Sequence, residues 1–218
     1  MPDVPLIALL LVVLAAYTCA GTLGFGANVV ALALGAQLLP VDRLLPAILP
    51  TSLLLSAWIA SRHREAIAGD VLAREVLPPA LLGFPVGLAL FQWADTALLQ
   101  TLLGGVILGL ALFELLRPAL GLSGPGAAMP RAPARALFAL GGFVQGLFAS
   151  GGPLVVTVLS RRLTDKGAFR ATLCLLWVLL NSVLIASYVL SGRIDHETLR
   201  LTAWCLLPMV LGRSLGQA

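Results

Sequence analysis

The chain contains few charged residues, and this shortage excludes an ordinary soluble domain. Only 11% of its 218 residues are charged, whereas 59% are hydrophobic. A soluble domain carries about 25% charged residues, so this chain has too little polar surface to remain in water. Several apolar runs reach the roughly 20 residues that a helix needs to cross a bilayer. The composition therefore predicts an all-α, polytopic membrane protein.

Residues that bind metals or carry out catalysis are also scarce. The three cysteines, Cys19, Cys174 and Cys205, lie in apolar segments without CxxC spacing, so we expect small buried side chains rather than ligands. Neither histidine has a second ligand at metal spacing, and no HExxH or GxSxG motif occurs. No basic stripe with interleaved aromatic residues is present. The sequence thus predicts no metal, no cofactor, no catalytic residue and no nucleic-acid partner.

Seven apolar segments follow one another along the chain. They run approximately over residues 5–39, 44–61, 71–93, 96–116, 135–159, 169–191 and 199–218. The stretch 118–134, rich in glycine, proline and alanine, is the one linker. It separates a first half at 1–117, with one broken helix and three spans, from a second half at 135–218, in which a final helix is lacking.

Two apolar segments are interrupted by glycine-rich breaks. The first reads Gly-Thr-Leu-Gly-Phe-Gly-Ala-Asn over 21–28, and the second reads Gly-Leu-Phe-Ala-Ser-Gly-Gly-Pro over 146–153. Unwound backbone at membrane depth survives only where protein or a polar cavity satisfies its N–H and C=O groups. Paired breaks of this kind indicate a transport site.

The two halves repeat in sequence. Gly21 matches Gly146 and Gly26 matches Gly151 at an offset of 125 residues, and a Pro-x-x-x-Gly-x-x-x-Gly pattern at 79–87 recurs at 208–216, at an offset of 129. Matches in the same order with slowly drifting offsets indicate an internal duplication. We expect the later glycines of this pattern to serve helix packing, and Gly87→Ala to be comparatively mild.

The positions of the basic residues favour inverted halves. Arginines cluster at 62–74, at 117–135 and at 161–170, and cytoplasmic loops carry the excess of positive charge. All three clusters share one face if each broken segment dips into the membrane and returns. Three crossings per half then invert the second copy, with the N-terminus outside. Glycine-kinked but continuous spans are the alternative.

A helix that restarts after a break offers an anion site. Its first N–H groups lack partners and carry the positive end of the helix dipole. Glycine suits such a turn because it tolerates positive φ and lets a ligand approach the backbone. Interhelical hydrogen bonding is the alternative role for the polar members. The predicted substrate-binding residues are Gly21, Gly24, Gly26, Asn28, Gln145, Gly146, Ser150, Gly151, Gly152, Pro153 and Asn181.

Both glycine motifs, together with Asn181 and the Pro-x-x-x-Gly-x-x-x-Gly helices, resemble those of the sulfite exporter TauE/SafE family of bacterial permeases. The resemblance covers essentially the whole chain. It implies a multi-pass protein of the bacterial inner membrane that moves sulfite, sulfonates or related organosulfur anions, coupled to a gradient of protons or sodium. Its partners would be a small anion and the lipid bilayer.

Three function classes follow from these observations. The sequence favours a secondary transporter for small anions, which is not an enzyme. A truncated, non-transporting fragment or a partner subunit is the first alternative, because the second half lacks a last helix. A membrane-embedded enzyme is the second. The sequence leaves open whether the chain forms a homo-oligomer.

Overall fold

The computed structural model describes residues 4–23, 26–122 and 129–217, and all regular structure within these ranges is helical. The helices of the described ranges are α1 Val4–Leu23, α2 Ala27–Gly35, α3 Val41–Arg62, α4 Gly69–Trp93, α5 Thr96–Leu116, α6 Arg131–Phe148, α7 Gly152–Arg162, α8 Lys166–Leu190 and α9 His196–Gln217. A 3₁₀ turn precedes α4, and α4 contains a π-helical turn at Leu72–Val76. The prediction of an all-α protein is confirmed.

Four helices are long and apolar enough to cross a membrane. These are α3, α4, α5 and α8, with 22, 25, 21 and 25 residues. At 1.5 Å per residue they reach about 32–38 Å, which exceeds a hydrocarbon core of about 30 Å. Their outward faces are apolar, and Leu82, Trp93 and Leu190 are 75%, 86% and 89% exposed. Lipid accepts such surfaces and water does not, which confirms the polytopic membrane class.

The chain divides into two compact units that interleave along the sequence. Unit 1 contains residues 1–54, 95–104 and 181–218, and unit 2 contains residues 55–94 and 105–180. Each unit therefore combines helices from both predicted halves. The internal repeat and the division at 118–134 stay predictions.

In unit 1, α1 packs against α9 through small residues. A Cβ placed on Gly212 would lie 2.5 Å from the carbonyl oxygen of Leu14. A Cβ on Gly21 would lie 2.9 Å from the Cα of Gly216 and 3.0 Å from the carbonyl oxygen of Arg213. The missing side chains let the two backbones approach closely.

In unit 2, α4 packs against α6 in the same manner but more tightly. A Cβ on Gly83 would overlap the carbonyl oxygen of Ala139, and a Cβ on Gly146 would overlap that of Phe84. Gly87 meets the backbone of α6 equally closely. The packing role expected for Gly83 and Gly87 is thus confirmed. The expectation of a mild Gly87→Ala is wrong, because the added methyl would displace backbone rather than a flexible side chain.

The second broken segment folds back on itself. A Cβ on Gly141 would lie 2.8 Å from Cγ2 of Val155 and 3.4 Å from the carbonyl oxygen of Gly151. Residues 141 and 155 would lie about 20 Å apart in one straight helix. Helix α7 therefore returns along α6 instead of continuing its direction.

The cysteines differ in burial. Cys174 and Cys205 are buried as expected, but Cys19 is exposed. The prediction for Cys19 is wrong because its position on α1 faces outward, where an apolar side chain is acceptable against lipid.

Candidate functional site

The second glycine-rich break is short and fully described. Helix α6 ends at Phe148 and α7 begins at Gly152. Between them Ala149 takes a left-handed conformation with φ 51°, and its N–H donates to the carbonyl oxygen of Gln145 over 2.8 Å. The Ser150 hydroxyl donates to the carbonyl oxygen of Phe148 over 2.9 Å. The turn thus satisfies the end of α6 before the chain reverses.

The Gln145 side chain supports the start of α7. Its Oε1 accepts a hydrogen bond from the N–H of Gly151 over 3.1 Å, and Gln145 is only 2% exposed. A buried N–H without a partner is costly, so the amide side chain takes the place that water would fill elsewhere. The structure therefore brings Gln145, Ser150 and Gly151 together, and their role in substrate binding stays a prediction.

The first turn of α7 keeps two backbone donors. Gly152 and Pro153 open the helix, and proline has no N–H to lose there. Among the described residues, the N–H groups of Gly152 and Leu154 donate no hydrogen bond. Gly151 and Gly152 are buried. This end of α7 thus presents bare N–H donors and a positive dipole end in a buried place.

The reason for glycine at position 151 differs from the prediction. Gly151 has φ −68°, so it does not need the left-handed region, which Ala149 occupies instead. A Cβ on Gly151 would overlap the carbonyl oxygen of Gly141. Close packing of the returning segment, rather than positive φ, therefore requires this glycine.

Two predicted site glycines lie inside helices rather than in unwound backbone. Gly21 belongs to α1 and Gly146 to α6. Each faces a crossing helix, α9 for Gly21 and α4 for Gly146. The prediction that they belong to the breaks is wrong, because both helices continue for two residues beyond them and the glycines serve the close crossings.

The first break retains one glycine with a conformational reason. Gly26 precedes α2 with φ 92°, a region that residues with a side chain rarely adopt. Asn28 is the second residue of α2 and is 9% exposed. Gly24 lies outside the described residues. Helix α2 packs against α1, so the two helices on either side of the first break contact each other, as α6 and α7 do at the second.

The remaining candidate, Asn181 on α8, is also buried, with 1% exposure. Asn181 belongs to unit 1 with Gly26 and Asn28, whereas residues 145–153 belong to unit 2. A shared site for the two groups stays a prediction.

Sequence reasoning missed a polar chain that ends on α7. Thr157 donates to the carbonyl oxygen of Pro153 over 2.8 Å and accepts from Arg117 over 3.4 Å. Arg117 also pairs with Glu114 over 3.1 Å. Glu114 and Arg117 are three residues apart on one helix, but only the fold brings Thr157, 40 residues away, to the same arginine.

Sequence reasoning also missed a hydrogen-bonded pair of hydroxyl groups in unit 1. Tyr17 and Thr51 form a hydrogen bond of 2.8 Å between their hydroxyl oxygens, and both side chains are buried. No local pattern links residues 34 positions apart.

Comparison with known families gives one result. The sequence model of the family described as Sulfite exporter TauE/SafE matches residues 9–218, nearly the whole chain. No curated protein and no solved structure gives a significant match.

Proposed function

The chain belongs to the sulfite exporter TauE/SafE family, and from this premise we propose that it is a secondary transporter for sulfite, sulfonates or related small organosulfur anions. The family and the four apolar spans make it a multi-pass membrane transport protein. The choice among these anions, their coupling to protons or sodium, and the location in a bacterial inner membrane belong to the proposal.

The start of α7 is the single observation that carries the proposal. The N–H groups of Gly152 and Leu154 and the positive end of the helix dipole lie together in a buried place. An oxyanion accepts hydrogen bonds from such donors without a lysine or arginine beside it. A neutral site of this kind also releases its anion more easily than a buried cation would, which suits transport.

Ser150 can join this site by a rotation of its hydroxyl. The hydroxyl now donates to the carbonyl oxygen of Phe148. Rotation about the Cα–Cβ bond would turn that donor toward an anion at the start of α7. We therefore include Ser150 with Gly152 and Leu154 in the proposed binding set, with Gln145 holding the turn.

The matched helix crossings support the proposed internal repeat. Gly146 faces the carbonyl oxygen of Phe84 as Gly21 faces that of Arg213. These pairs are related by the offsets of 125 and 129 residues that the sequence repeat predicts. The reversal of α7 along α6 supports the re-entrant arrangement of the second broken segment over the alternative of continuous spans.

Replacing Gln145 by glutamate tests the anion site with little change of shape. Glutamate keeps an oxygen to accept the Gly151 N–H, but it places a carboxyl group beside the proposed anion. We expect Gln145→Glu to lose most uptake of sulfite and sulfonates in proteoliposomes, and more of it at higher pH as the buried carboxyl ionises. A carboxylate panel measured in parallel defines the substrate class.

Gln37→Glu is the matched control, because Gln37 is exposed in the connection between α2 and α3. It should transport at the wild-type rate. Both proteins must first elute as folded species in detergent. Normal transport by folded Gln145→Glu at all pH values would place the anion site elsewhere, and half-buried Arg213 on α9 would become the leading candidate.

A further inference from the structure

Unit 2 contains a cavity of about 550 Å³ at the ends of three helices. It is formed by the first turns of α4 and α6 and by the end of α7. Its lining residues are Val71, Arg74, Glu75, Met129, Pro130, Arg131, Ala134, Arg135, Phe138, Val158 and Arg162. The cavity is separate from the start of α7, because it contacts only the other end of that helix.

The charge of this lining is strongly unbalanced. The lining contains four arginines and one glutamate. The glutamate, Glu75, already forms a bidentate ion pair with Arg162, with oxygen–nitrogen distances of 2.5 and 2.8 Å. Arg131 and Arg135 are four residues apart and so share one face of α6. Within the described residues neither forms a salt bridge or a side-chain hydrogen bond, and Arg131 interacts with Glu75 only at longer range. Like charges so placed repel each other unless an anion lies between them.

A second cavity, in unit 1, provides a comparison. It measures about 510 Å³ and is formed by the starts of α1 and α9 and by the connection from α2 to α3. Its lining contains three arginines and three acidic residues, so its net charge is zero. Arg131 and Glu75 of the first cavity correspond, by the repeat offsets, to Leu6 and Trp204 of the second. Similar cavities thus differ in charge rather than in size.

The size of the basic cavity argues against sulfite as its ligand. An oxyanion of four atoms fills on the order of two water volumes, ~60 Å³, which would leave most of the space empty. The apolar residues Val71, Met129, Phe138 and Val158 line the cavity together with the arginines. Such a lining fits a ligand that joins a phosphate group to an apolar body.

We infer that this cavity binds the phosphate headgroup of an anionic phospholipid. It lies at the start of α4, which is long and apolar enough to cross a membrane, and the end of such a helix lies at the depth of the headgroups. Basic pockets of this kind between helices take anionic lipids. Arg131 and Arg135 hold the phosphate diester, and Arg74 closes the outer side. The positive-inside rule explains arginines on this face, but it does not explain four of them around one cavity. The assignment does not depend on which anion is transported.

The test measures thermal unfolding of the full chain in detergent, titrated with phosphatidylglycerol or with phosphatidylcholine. Phosphatidylglycerol should raise the unfolding midpoint by several degrees and phosphatidylcholine should not. Arg131→Gln/Arg135→Gln should weaken the apparent affinity for phosphatidylglycerol at least tenfold. Arg43→Gln/Arg200→Gln, in the neutral cavity, removes the same two charges and should bind like the wild type.

Three results would overturn the inference. The first is an equal loss in both double variants, which would indicate general surface charge. The second is equal stabilisation by both lipids. The third is full stabilisation by inorganic phosphate or sulfite alone, which would assign the cavity to a soluble anion. If the double variant does not fold, Arg74→Gln replaces it, because that side chain is 83% exposed and makes only a 3.9 Å pair with Asp70.

Discussion

The two helix crossings, α1 with α9 in unit 1 and α4 with α6 in unit 2, use residues that the predicted repeat would match, but they differ in how closely the backbones approach. Gly212 against Leu14 corresponds to Gly83 against Ala139 by the repeat offsets of 129 and 125 residues. A Cβ on Gly212 would lie 2.5 Å from the carbonyl oxygen of Leu14, which is already too close, and a Cβ on Gly83 would lie closer still to that of Ala139. The same motif therefore supports crossings of different closeness.

The two crossings differ in side-chain size at one matched position, which is glycine on α6 and tyrosine on α1. Unit 2 has Gly142 on α6, and a Cβ there would overlap the carbonyl oxygen of Ala80. The matching position of α1 is Tyr17, a large side chain that is 1% exposed. The Tyr17 Cβ lies against Gly212 of α9, and its buried hydroxyl forms a hydrogen bond with Thr51. Small residues on both helices allow the two backbones to pack closely. A large residue such as Tyr17 instead fills that space with its side chain and adds a hydrogen bond.

The largest effect is expected from cysteine labelling, which tests whether the predicted repeat is inverted, since its outcome is all or none. If the halves 1–117 and 135–218 are inverted copies, single cysteines at Asp42 and Lys166 must lie on opposite faces of the membrane. We expect a membrane-impermeant maleimide to label one of them in intact cells and the other only after permeabilisation. The native cysteines are first replaced by alanine. Labelling of both from the same side would show that the repeat is not inverted.

The next largest effect is expected from alanine at the matched glycines. Gly146→Ala should lower the free energy of unfolding by about 1–3 kcal/mol, because the added methyl group would clash with the carbonyl oxygen of Phe84 on α4. Gly21→Ala should be clearly milder, since its closest neighbours lie at 2.9–3.0 Å. Reversible unfolding in mixed micelles measures both. An equal or larger loss for Gly21→Ala would contradict the difference between the crossings.

The hydroxyl pair of unit 1 should contribute a smaller amount. Tyr17→Phe removes one buried hydrogen bond and should lower the free energy of unfolding by about 0.5–1.5 kcal/mol. A double-mutant cycle with Thr51→Val isolates the pair, because Thr51 also donates to the carbonyl oxygen of Ile48. Additive effects would mean that the two hydroxyls do not stabilise unit 1 through each other.

The smallest effect concerns the start of α9, which has a side-chain cap that the start of α4 lacks. Asp195 accepts hydrogen bonds from the N–H and hydroxyl of Thr198, each over 2.7 Å. The Thr198 backbone and hydroxyl bonds lower the pKa of Asp195 below its ordinary value. A lowered folded pKa means that this stabilisation is present at neutral pH and is lost as the pH falls through the folded pKa.

Asp195→Asn should therefore lower the unfolding midpoint slightly at pH 7. The difference from wild type should shrink below about pH 4, where the carboxyl of the unfolded chain is already protonated. Thermal unfolding at both pH values measures it. A difference that grows on acidification would contradict the assigned cap.

Several features were predictable because they depend on local composition and spacing. The apolar runs placed the helices, since a membrane helix must be long and apolar. The glycine-rich motifs located both interruptions, and Pro153 lies in the first turn of the helix that follows the second. The boundaries were less accurate: Gly21 and Gly146 lie within helices, because the crossing partner, which the local sequence does not reveal, stabilises the helix through them.

Composition and motifs were enough to establish the class of the protein, its family and the approximate positions of its breaks, because lipid imposes length and apolarity on each span. Tertiary structure decided what each glycine does. Gly151 packs on Gly141 instead of adopting positive φ, and Gln145 supports the turn that follows it. Tertiary structure also gathered four arginines around one cavity. These outcomes depend on which helices meet and how closely, and that distance is set by residues far apart in the chain.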